Sequence, residues 1–310
     1  MRIVVSGGAG FIGSHIVDAY VEAGHDVAVL DDLSTGQAEN LNPKARFHHV
    51  DLRDRDAVGR AIERERPEIV NHHAAQLDVR RSVADPAFDA AVNLVGFLNL
   101  LEAARQHGLR RVILASSGGV VYGESARLPT REEDPTEPIS PYGVAKLGSE
   151  RYLHFYAHVY GIPSVWLRYA NVYGPRQNPH GEAGVISIFS TLLLAGGAPV
   201  INGSGNQTRD YVFVGDVVRA NLLALESDYA GPLNIGTGVE TDVNRLFALL
   251  CDAVGHHPGE RHGPAKAGEQ LRSVLDPRRA GEVLGWQAET PLAEGLAHTV
   301  AWFRERRAAA

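Results

Sequence analysis

Two residues in the middle of the chain have the types and the spacing that proton transfer requires. Tyr142 and Lys146 stand four positions apart, in a segment that begins with Ser140 and Pro141. Serine and proline are typical N-cap and first residues of a helix, and a spacing of four places the phenol and the ammonium on one face of it. A free tyrosine titrates at about 10, and a nearby ammonium lowers that pKa. The segment therefore predicts a tyrosine that serves as a general base at neutral pH.

A serine pair precedes this helix at a place where it could assist the tyrosine. Ser116 and Ser117 follow the apolar run 112–115, which is typical of a buried strand. Serines at strand ends are often only turn formers, but Tyr142 makes a catalytic role for Ser117 the better interpretation. We predict that Ser117 supplies a hydroxyl to the reaction, with Ser116 as the alternative.

The N-terminus carries a glycine-rich turn suited to a phosphate ligand. The run Ile3–Val4–Val5 is β-branched, as in strands buried on both faces, and glycines follow it at positions 7, 10 and 13. Such glycines let the chain turn tightly, approach a pyrophosphate and pack a helix against the strand. The helix expected over 11–23 would direct the N–H groups of its first turn at that phosphate. The residues predicted to bind the cofactor here are Gly7, Gly10, Phe11, Ile12 and Gly13.

An acidic residue at the end of the second apolar run complements this turn. Asp31 stands 24 positions after Gly7, close to the spacing of about 20 in dinucleotide-binding domains. Its carboxylate would accept hydrogen bonds from the adenosine ribose and would repel a 2′-phosphate, which favours NAD over NADP. Asp32 begins the loop on the same side, and Asp51–Leu52, after the third strand, could hold the adenine edge. A cationic nicotinamide ring would further lower the pKa of Tyr142.

Apolar strands alternate with amphipathic helices through the first half of the chain. This alternation predicts an α/β fold, a Rossmann-type doubly wound parallel sheet with a smaller C-terminal α/β substrate domain. Ligands of such sheets lie beyond the carboxyl ends of the strands, where the small residues Ala74 and Ala75 and then Gln76 follow the fourth strand. A helix expected over 84–107 has an apolar face broader than one stripe. It is therefore either buried under the sheet or in contact with a partner subunit.

Composition narrows the classes of function. The 310 residues carry a net charge of −7 and contain no long basic run, which argues against a nucleic-acid partner. A single cysteine, Cys251, excludes an internal disulfide and fits a reducing cytoplasm. We expect neither a signal peptide nor a membrane span, because Gly, His and Asp interrupt residues 1–30. The histidine pairs lack the spacing and the third partner of a metal site, so we predict no metal.

These motifs together resemble the extended short-chain dehydrogenase/reductase family, and within it the bacterial UDP-glucose 4-epimerases. The resemblance runs nearly from end to end of the chain. Its motifs here are Gly7–Gly8–Ala9–Gly10–Phe11–Ile12–Gly13, Asp31, His73–Ala74–Ala75, Asn93, Ser117, Val121–Tyr122–Gly123, Ser140–Pro141–Tyr142, Lys146, Leu167–Arg168–Tyr169–Ala170–Asn171–Val172–Tyr173–Gly174–Pro175–Arg176, Arg209–Asp210–Tyr211 and Asn234–Ile235–Gly236–Thr237–Gly238.

The resemblance implies which residues are catalytic. In that family a Ser or Thr, a Tyr and a Lys carry the chemistry, and they correspond here to Ser117, Tyr142 and Lys146. In many relatives the hydroxyl stands four residues before the position of Tyr122, where this chain has Gly118. We therefore expect a slight bulge at the strand end that lets Ser117 reach the sugar.

The resemblance also divides the chain between cofactor and substrate. Residues 1–170, joined by 211–236, would bind NAD with the further help of Asn93 and Tyr169, and residues 171–310 would bind the UDP-sugar. Lys266 and Glu269 stand where the family usually has Arg and Asp. The residues implied for the substrate are Ser117 at the sugar, Asn171 and Arg209 at the diphosphate, Val185 near the uracil, Lys266 and Glu269 at phosphate and ribose, and Ser273 beside the hexose C2 substituent.

The reaction so implied inverts C4 of a UDP-hexose through a 4-keto intermediate, in a homodimer that keeps its NAD bound. The substrates would be UDP-glucose and UDP-galactose, and also their N-acetyl forms because Ser273 is small. A 4,6-dehydratase would need an acidic pair where this chain has Gly118–Gly119. A UDP-glucuronate 4-epimerase or decarboxylase stays open. A non-catalytic sugar-nucleotide-binding protein would usually lose Tyr142 or Lys146, and both are present.

Overall fold

A parallel sheet of seven strands forms the centre of the computed structural model, which describes residues 1–179, 184–265 and 270–309. The strands are β1 (Arg2–Ser6), β2 (Asp26–Asp31), β3 (Arg46–His49), β4 (Ile69–His72), β5 (Arg111–Ser117), β6 (Ser164–Tyr169), β7 (Asn171–Tyr173), β8 (Ile201–Asn202), β9 (Thr208–Arg209), β10 (Tyr211–Phe213), β11 (Gly231–Ile235), β12 (Thr241–Asp242) and β13 (His262–Gly263). The helices are α1 (Phe11–Glu22), α2 (Arg55–Glu65), α3 (Val79–Ala84), α4 (Pro86–Ala90), α5 (Gly96–Gln106), α6 (Gly118–Val121), α7 (Pro141–Tyr160), α8 (Val185–Leu194), α9 (Val214–Glu226), α10 (Val243–Val254), α11 (Arg278–Leu284) and α12 (Leu292–Ala309).

The order of the strands confirms the predicted doubly wound topology. The order is β11-β6-β5-β4-β1-β2-β3, and each neighbouring pair in the sheet is parallel. The chain runs outward from β1 to β3, returns, and then runs outward in the other direction from β4. The carboxyl ends of β1 and β4 therefore flank the crevice where such sheets bind ligands.

Alternate side chains of the central strands enter two different cores. Ile3 and Val5 face one layer, which contains α1, α9 and Trp286 of the chain's last third. Val4 faces the opposite layer, which contains α2, α5 and α7. A further apolar cluster joins α8, α10 and α12 around Tyr173 and Tyr211, on the C-terminal side of the sheet.

The long helix expected over 84–107 begins at Pro86 and ends at Gln106, and it contains an irregularity. Between α4 and α5 the segment Ala91–Val95 is a π-helical turn, which contains Asn93. Among the described residues, this is the one helical stretch long and apolar enough to cross a membrane by length and composition. A buried core helix passes the same test, and Phe97 and Leu100 are fully buried in the core.

Candidate active site

Helix α7 holds Tyr142 and Lys146 at the carboxyl end of β5. The hydroxyl of Ser140 accepts a hydrogen bond from the N–H of Gly143 at 3.1 Å, so that the predicted N-cap is confirmed. Lys146 is 4% exposed, and its Nζ donates a hydrogen bond to the carbonyl oxygen of Ala115 at 2.9 Å. The same Nζ lies 5.8 Å from the centre of the Tyr142 ring. One helical turn thus places the phenol and the ammonium together beside the strand end.

The electrostatics of this pair differ from the simple expectation. Burial lowers the pKa of Lys146 to about 8, although Asp89 and Glu150 act in the opposite direction. Burial raises the pKa of Tyr142, and the charge of Asp89 raises it further. The protein's own groups therefore favour the neutral phenol. A phenolate at neutral pH needs added positive charge, which a nicotinamide cation would bring.

The two serines of β5 have different surroundings. Ser116 is 3% exposed, and its hydroxyl donates a hydrogen bond to Oε1 of Glu150 at 2.6 Å. Glu150 also forms a buried ion pair with Arg168, with 2.6 Å between Nη2 and Oε2. Ser117 points to the other face of the sheet, and none of the described residues forms a hydrogen bond with its hydroxyl. Ser117 therefore remains the better candidate for contact with a substrate.

The expected bulge at the end of β5 is wrong. The strand continues in regular register to Ser117, which pairs with Tyr169, and α6 then begins at Gly118. A Cβ atom at Gly118 would lie 2.5 Å from Cδ1 of Leu275. A side chain at position 118 would thus point toward the buried side chain of Leu275.

The glycine turn has the shape of a dinucleotide cradle. Gly7 has a φ of +73°, and a Cβ atom there would lie 2.5 Å from the backbone nitrogen of Ala74. A Cβ atom at Gly13 would lie 2.2 Å from the carbonyl oxygen of Gly7. No side chain caps α1 at Gly10, and its first turn contains no acidic residue. The N–H groups of Phe11, Ile12 and Gly13 are therefore available to a pyrophosphate, so these residues fit NAD.

Asp31 lies at the end of β2, beside this cradle. It is 7% exposed, and its two oxygens accept hydrogen bonds from the N–H groups of Ala9 at 3.0 Å and Leu33 at 2.8 Å. These bonds hold the carboxylate in place and leave lone pairs for ribose hydroxyls. Asp32 is exposed and accepts a hydrogen bond from Ser34 at 2.6 Å.

The predicted adenine contacts at Asp51 and Leu52 follow β3. The carboxylate of Asp51 forms an ion pair with Arg53 at 2.5 Å. This bond lowers the pKa of Asp51, although partial burial acts in the opposite direction. The Leu52 side chain is 8% exposed, and its carbonyl oxygen accepts a hydrogen bond from Asn99 at 2.9 Å. The contact with adenine stays a prediction for both residues.

Asn93 fixes the backbone that follows β4. Its side-chain oxygen accepts a hydrogen bond from the N–H of Gln76 at 2.8 Å, and its Nδ2 donates to the carbonyl oxygen of Gln76 at 2.9 Å. Ala74 and Ala75 lie just before this clamp. Tyr169, at the end of β6, accepts a hydrogen bond from Asn221 at 2.8 Å. These predicted cofactor residues all lie at the carboxyl edge of the sheet.

The predicted substrate residues lie on the C-terminal side of this edge. Asn171 is exposed at the start of β7, and its N–H donates to the carbonyl oxygen of Asp210, next to Arg209, at 2.9 Å. Val185 begins α8, and its N-cap residue, Gly184, has no side chain that could cap the helix. Ser273 is 8% exposed and lies between Arg272 and Leu275, which bridge to Thr208 and Thr130. Lys266 and Glu269 lie outside the described residues.

Three buried polar residues escaped the sequence analysis as parts of this site: Asp89, Glu150 and Arg168. Asp89 accepts hydrogen bonds from the side chains of Asn93 and Gln76, at 2.9 and 3.0 Å. A helical spacing of four could have indicated two of them. Asp89 stands four positions before Asn93, and Glu150 stands four positions after Lys146.

Known proteins resemble this chain over its whole length. The model of the NAD dependent epimerase/dehydratase family matches residues 3–236. The UDP-glucose 4-epimerase of Mycolicibacterium smegmatis is 49% identical over 312 residues, which cover 99% of each chain.

Two solved structures share the fold closely. The UDP-glucose 4-epimerase of Thermotoga maritima with UDP-glucose has a TM-score of 0.97 and 48% identity, and covers 99% of this chain and 100% of its own. The UDP-glucose 4-epimerase of Thermus thermophilus in complex with NAD has a TM-score of 0.92 and 45% identity, with 98% and 99% covered. The family model and these relatives show that the chain belongs to the NAD-dependent epimerase/dehydratase family.

Proposed function

We propose that the protein is an NAD-dependent UDP-hexose 4-epimerase in which Tyr142, Lys146 and Ser117 are the catalytic residues. The observation that carries this proposal is the position of α7. It brings the Tyr142–Lys146 pair to the end of β5, beside a hydroxyl of Ser117 that no described residue engages. The close similarity to UDP-glucose 4-epimerases, one of them solved with UDP-glucose, supports the choice of substrate.

Each catalytic residue has a separate task in this mechanism. Tyr142 accepts the proton of the sugar 4-OH, and Ser117 donates a hydrogen bond to the same oxygen and aligns it. Lys146 stays cationic, which stabilises a negative charge on the phenol oxygen. Bound NAD supplies the hydride acceptor and donor for C4. Tyr142 returns its proton after the hexose has turned its other face, so that C4 is inverted.

Inversion requires that the nucleotide half stays anchored while the hexose turns. We propose that residues 171–310 provide this anchor, with Asn171 and Arg209 at the diphosphate and Val185 near the uracil. Residues 1–170 and 211–236 hold the cofactor in this division. The separate apolar core of α8, α10 and α12 supports a second domain on the substrate side.

Two parts of the chain bear on which sugar reaction is possible. Positions 118 and 119, where a 4,6-dehydratase would need an acidic pair after β5, are both glycines. At the hexose, we propose that Ser273 leaves room for an acetamido group. UDP-N-acetylglucosamine is then a substrate as well as UDP-glucose.

A product assay without added NAD tests the function. The purified protein is incubated with UDP-glucose, UDP-N-acetylglucosamine or UDP-glucuronate, and the products are separated by anion-exchange chromatography. We expect 4-epimers of the first two sugars. If only UDP-glucuronate is converted to its 4-epimer, the protein is a UDP-glucuronate 4-epimerase instead. Absence of any product from a protein that still binds UDP-sugar would favour a binding protein.

A matched variant tests the assignment of the general base. Tyr142→Phe should lower kcat by about 10²–10⁴-fold, because removal of a general base has that effect. Its affinity for UDP-glucose, measured by calorimetry, should stay close to that of the parent. An active Tyr142→Phe variant would contradict the proposed role.

We further propose that the protein is a homodimer formed through α5 and α7. Gly148 of α7 lets the π-helical turn before α5 pack closely on α7, because a Cβ atom at position 148 would already lie 3.4 Å from Leu94. Together they present exposed apolar side chains, among them Val95 at 50%, Phe155 at 44% and Val159 at 52%. A second copy would cover this face with its own, as in four-helix packing about a twofold axis.

Light scattering tests this dimer. Phe155→Glu combined with Val159→Glu should give a monomer at micromolar concentration. The control is Leu192→Glu, at a residue 42% exposed on α8, which should remain dimeric. A parent protein that is itself monomeric would refute the proposal.

We propose a cytoplasmic location for the protein. Its one cysteine, Cys251, is a buried free thiol. A chain with a free thiol fits a reducing compartment.

A further inference from the structure

Asp89 of α4 is a buried carboxylate that is only half satisfied. It is 1% exposed. Its Oδ1 accepts hydrogen bonds from Nε2 of Gln76 at 3.0 Å and from Nδ2 of Asn93 at 2.9 Å. Its Oδ2 is buried and has no hydrogen-bond partner among the described residues. Burial of a carboxylate is costly unless a positive charge compensates for it.

Lys146 is the cation that can compensate for it. Helix α4 packs directly against α7, and the charge of Asp89 acts on Lys146 and on Tyr142. The other acid that acts on Lys146 is Glu150. Both oxygens of Glu150 already bind Arg168, at 2.9 and 2.6 Å, so that its charge is neutralised elsewhere.

Four other titratable side chains of this region are already neutral or engaged elsewhere. His72 and His73, at the end of β4, are both neutral at pH 7, because burial and then Lys146 lower their pKa, that of His73 to about 3. The guanidinium groups of Arg53 and Arg81 stack on the neighbouring ring of Phe88, at 5.1 and 4.1 Å.

We propose that Asp89 is the permanent counter-ion of Lys146 and the positioning residue that sets the charge of the Tyr142–Lys146 pair. The inference rests on the roles proposed above for these two residues. While Tyr142 holds the sugar's proton, its phenol is neutral and cannot balance a buried ammonium. Asp89 supplies a negative charge that does not change during the cycle, and Lys146 therefore remains protonated at both stages.

The same charge fixes the pH range of activity. A negative charge nearby raises the pKa of both Tyr142 and Lys146. Removal of the charge lowers both values, so the limbs of the bell-shaped kcat profile both move to lower pH. For removal of one unit charge inside a protein, we expect a displacement of about one pH unit.

Asp89→Asn separates this electrostatic role from a structural one. The amide oxygen can still accept the hydrogen bonds from Gln76 and Asn93, so the clamp on the backbone after β4 persists. Asp89→Ala removes the charge and the clamp together. Asp89→Glu keeps the charge and should leave both limbs of the profile near those of the parent protein.

The experiment measures kcat against pH for the NAD-loaded parent, Asp89→Asn and Asp89→Glu, with the phenolate absorbance at 295 nm as a second readout. The signal of Tyr142 is obtained by difference in each background. For the parent, the absorbance curve of Tyr142→Phe is subtracted. For Asp89→Asn, the curve of the double variant Tyr142→Phe, Asp89→Asn is subtracted. We expect Asp89→Asn to move both limbs and the absorbance midpoint downward by about one unit. A lower kcat with unmoved limbs would refute the inference.

A double-variant cycle covers the case in which Asp89→Asn is too unstable for kinetics. The midpoint of thermal unfolding is measured for Asp89→Asn, Lys146→Met and the double variant. A counter-ion pair predicts that the double variant loses clearly less than the sum of the single losses, whereas additive losses would refute it. If Tyr142→Phe proved active, the proposed catalytic roles would fail. If Tyr142→Phe is inactive but the limbs of Asp89→Asn do not move, the role of Asp89 alone is refuted.

Discussion

The buried ion pair between Glu150 and Arg168 permits a quantitative prediction of stability. Its side chains are 0% and 4% exposed. Glu150 accepts hydrogen bonds from Ser116 at 2.6 Å and from Nε and Nη2 of Arg168 at 2.9 and 2.6 Å. Glu150→Met removes the carboxylate and leaves a guanidinium buried without a counter-charge. Breaking such a pair from one side costs about 3–5 kcal/mol.

The expected change in melting temperature follows from the length of the chain. Unfolding entropy of about 2.1 cal/mol/K per residue, over 310 residues, amounts to about 0.65 kcal/mol/K. A loss of about 3–5 kcal/mol then lowers the midpoint by about 5–8 °C. Scanning calorimetry of the NAD-loaded protein at a fixed scan rate measures it.

The matched control removes both charges. In the double variant Glu150→Met, Arg168→Met no charge remains buried, and an apolar pair of similar volume is often as stable as the ion pair. We expect its midpoint to recover at least half of the loss caused by Glu150→Met. A single variant within about 2 °C of the parent, or a double variant below the single one, would refute the assignment of a buried pair.

Four further substitutions test the site. Ser117→Ala should lower kcat by less than Tyr142→Phe does, while Ser116→Ala should lower the melting temperature with little effect on kcat; the reverse pattern would reassign the catalytic hydroxyl to Ser116. Ser273→Tyr should reduce kcat/KM for UDP-N-acetylglucosamine far more than for UDP-glucose, because specificity is a difference in transition-state binding; equal losses would place the pocket wall elsewhere. Gly13→Ala puts a methyl group 2.2 Å from the carbonyl oxygen of Gly7, so chromatography of the denatured protein should find little NAD, and full retention would contradict the cradle.

Short-range patterns made the fold and the placement of the Tyr142–Lys146 pair predictable from sequence. The glycine turn lies within a few positions of its strand and helix, and Tyr142 and Lys146 share one helical face because they are four positions apart. The doubly wound sheet followed from alternating apolar strands and amphipathic helices. These features need no knowledge of distant parts of the chain.

The supporting polar residues depend on contacts that a local pattern does not contain. Glu150 is 34 positions from Ser116 and 18 from Arg168, and the burial of all three follows only once α7 packs on the sheet. The spacing of four to Asn93 could indicate a contact for Asp89, but its burial follows only from the packing of α4 against α7. The π-helical turn that contains Asn93 has no distinct compositional signal either, since Ala, Val, Asn and Leu also occur in regular helices.

The position of α9 has a consequence for the order in which the chain folds. Strands β1 to β6 can pair once residue 169 has been made, and α2, α5 and α7 are then available to cover one face of the sheet. The other face carries Ile3, Val5 and α1, and it receives Val217, Ala220 and Ala224 only when α9 arrives. During synthesis this apolar face is therefore exposed for the time needed to add about 50 further residues, a few seconds at ordinary rates of translation. A nascent chain at that stage is a natural client for chaperones that bind apolar surfaces.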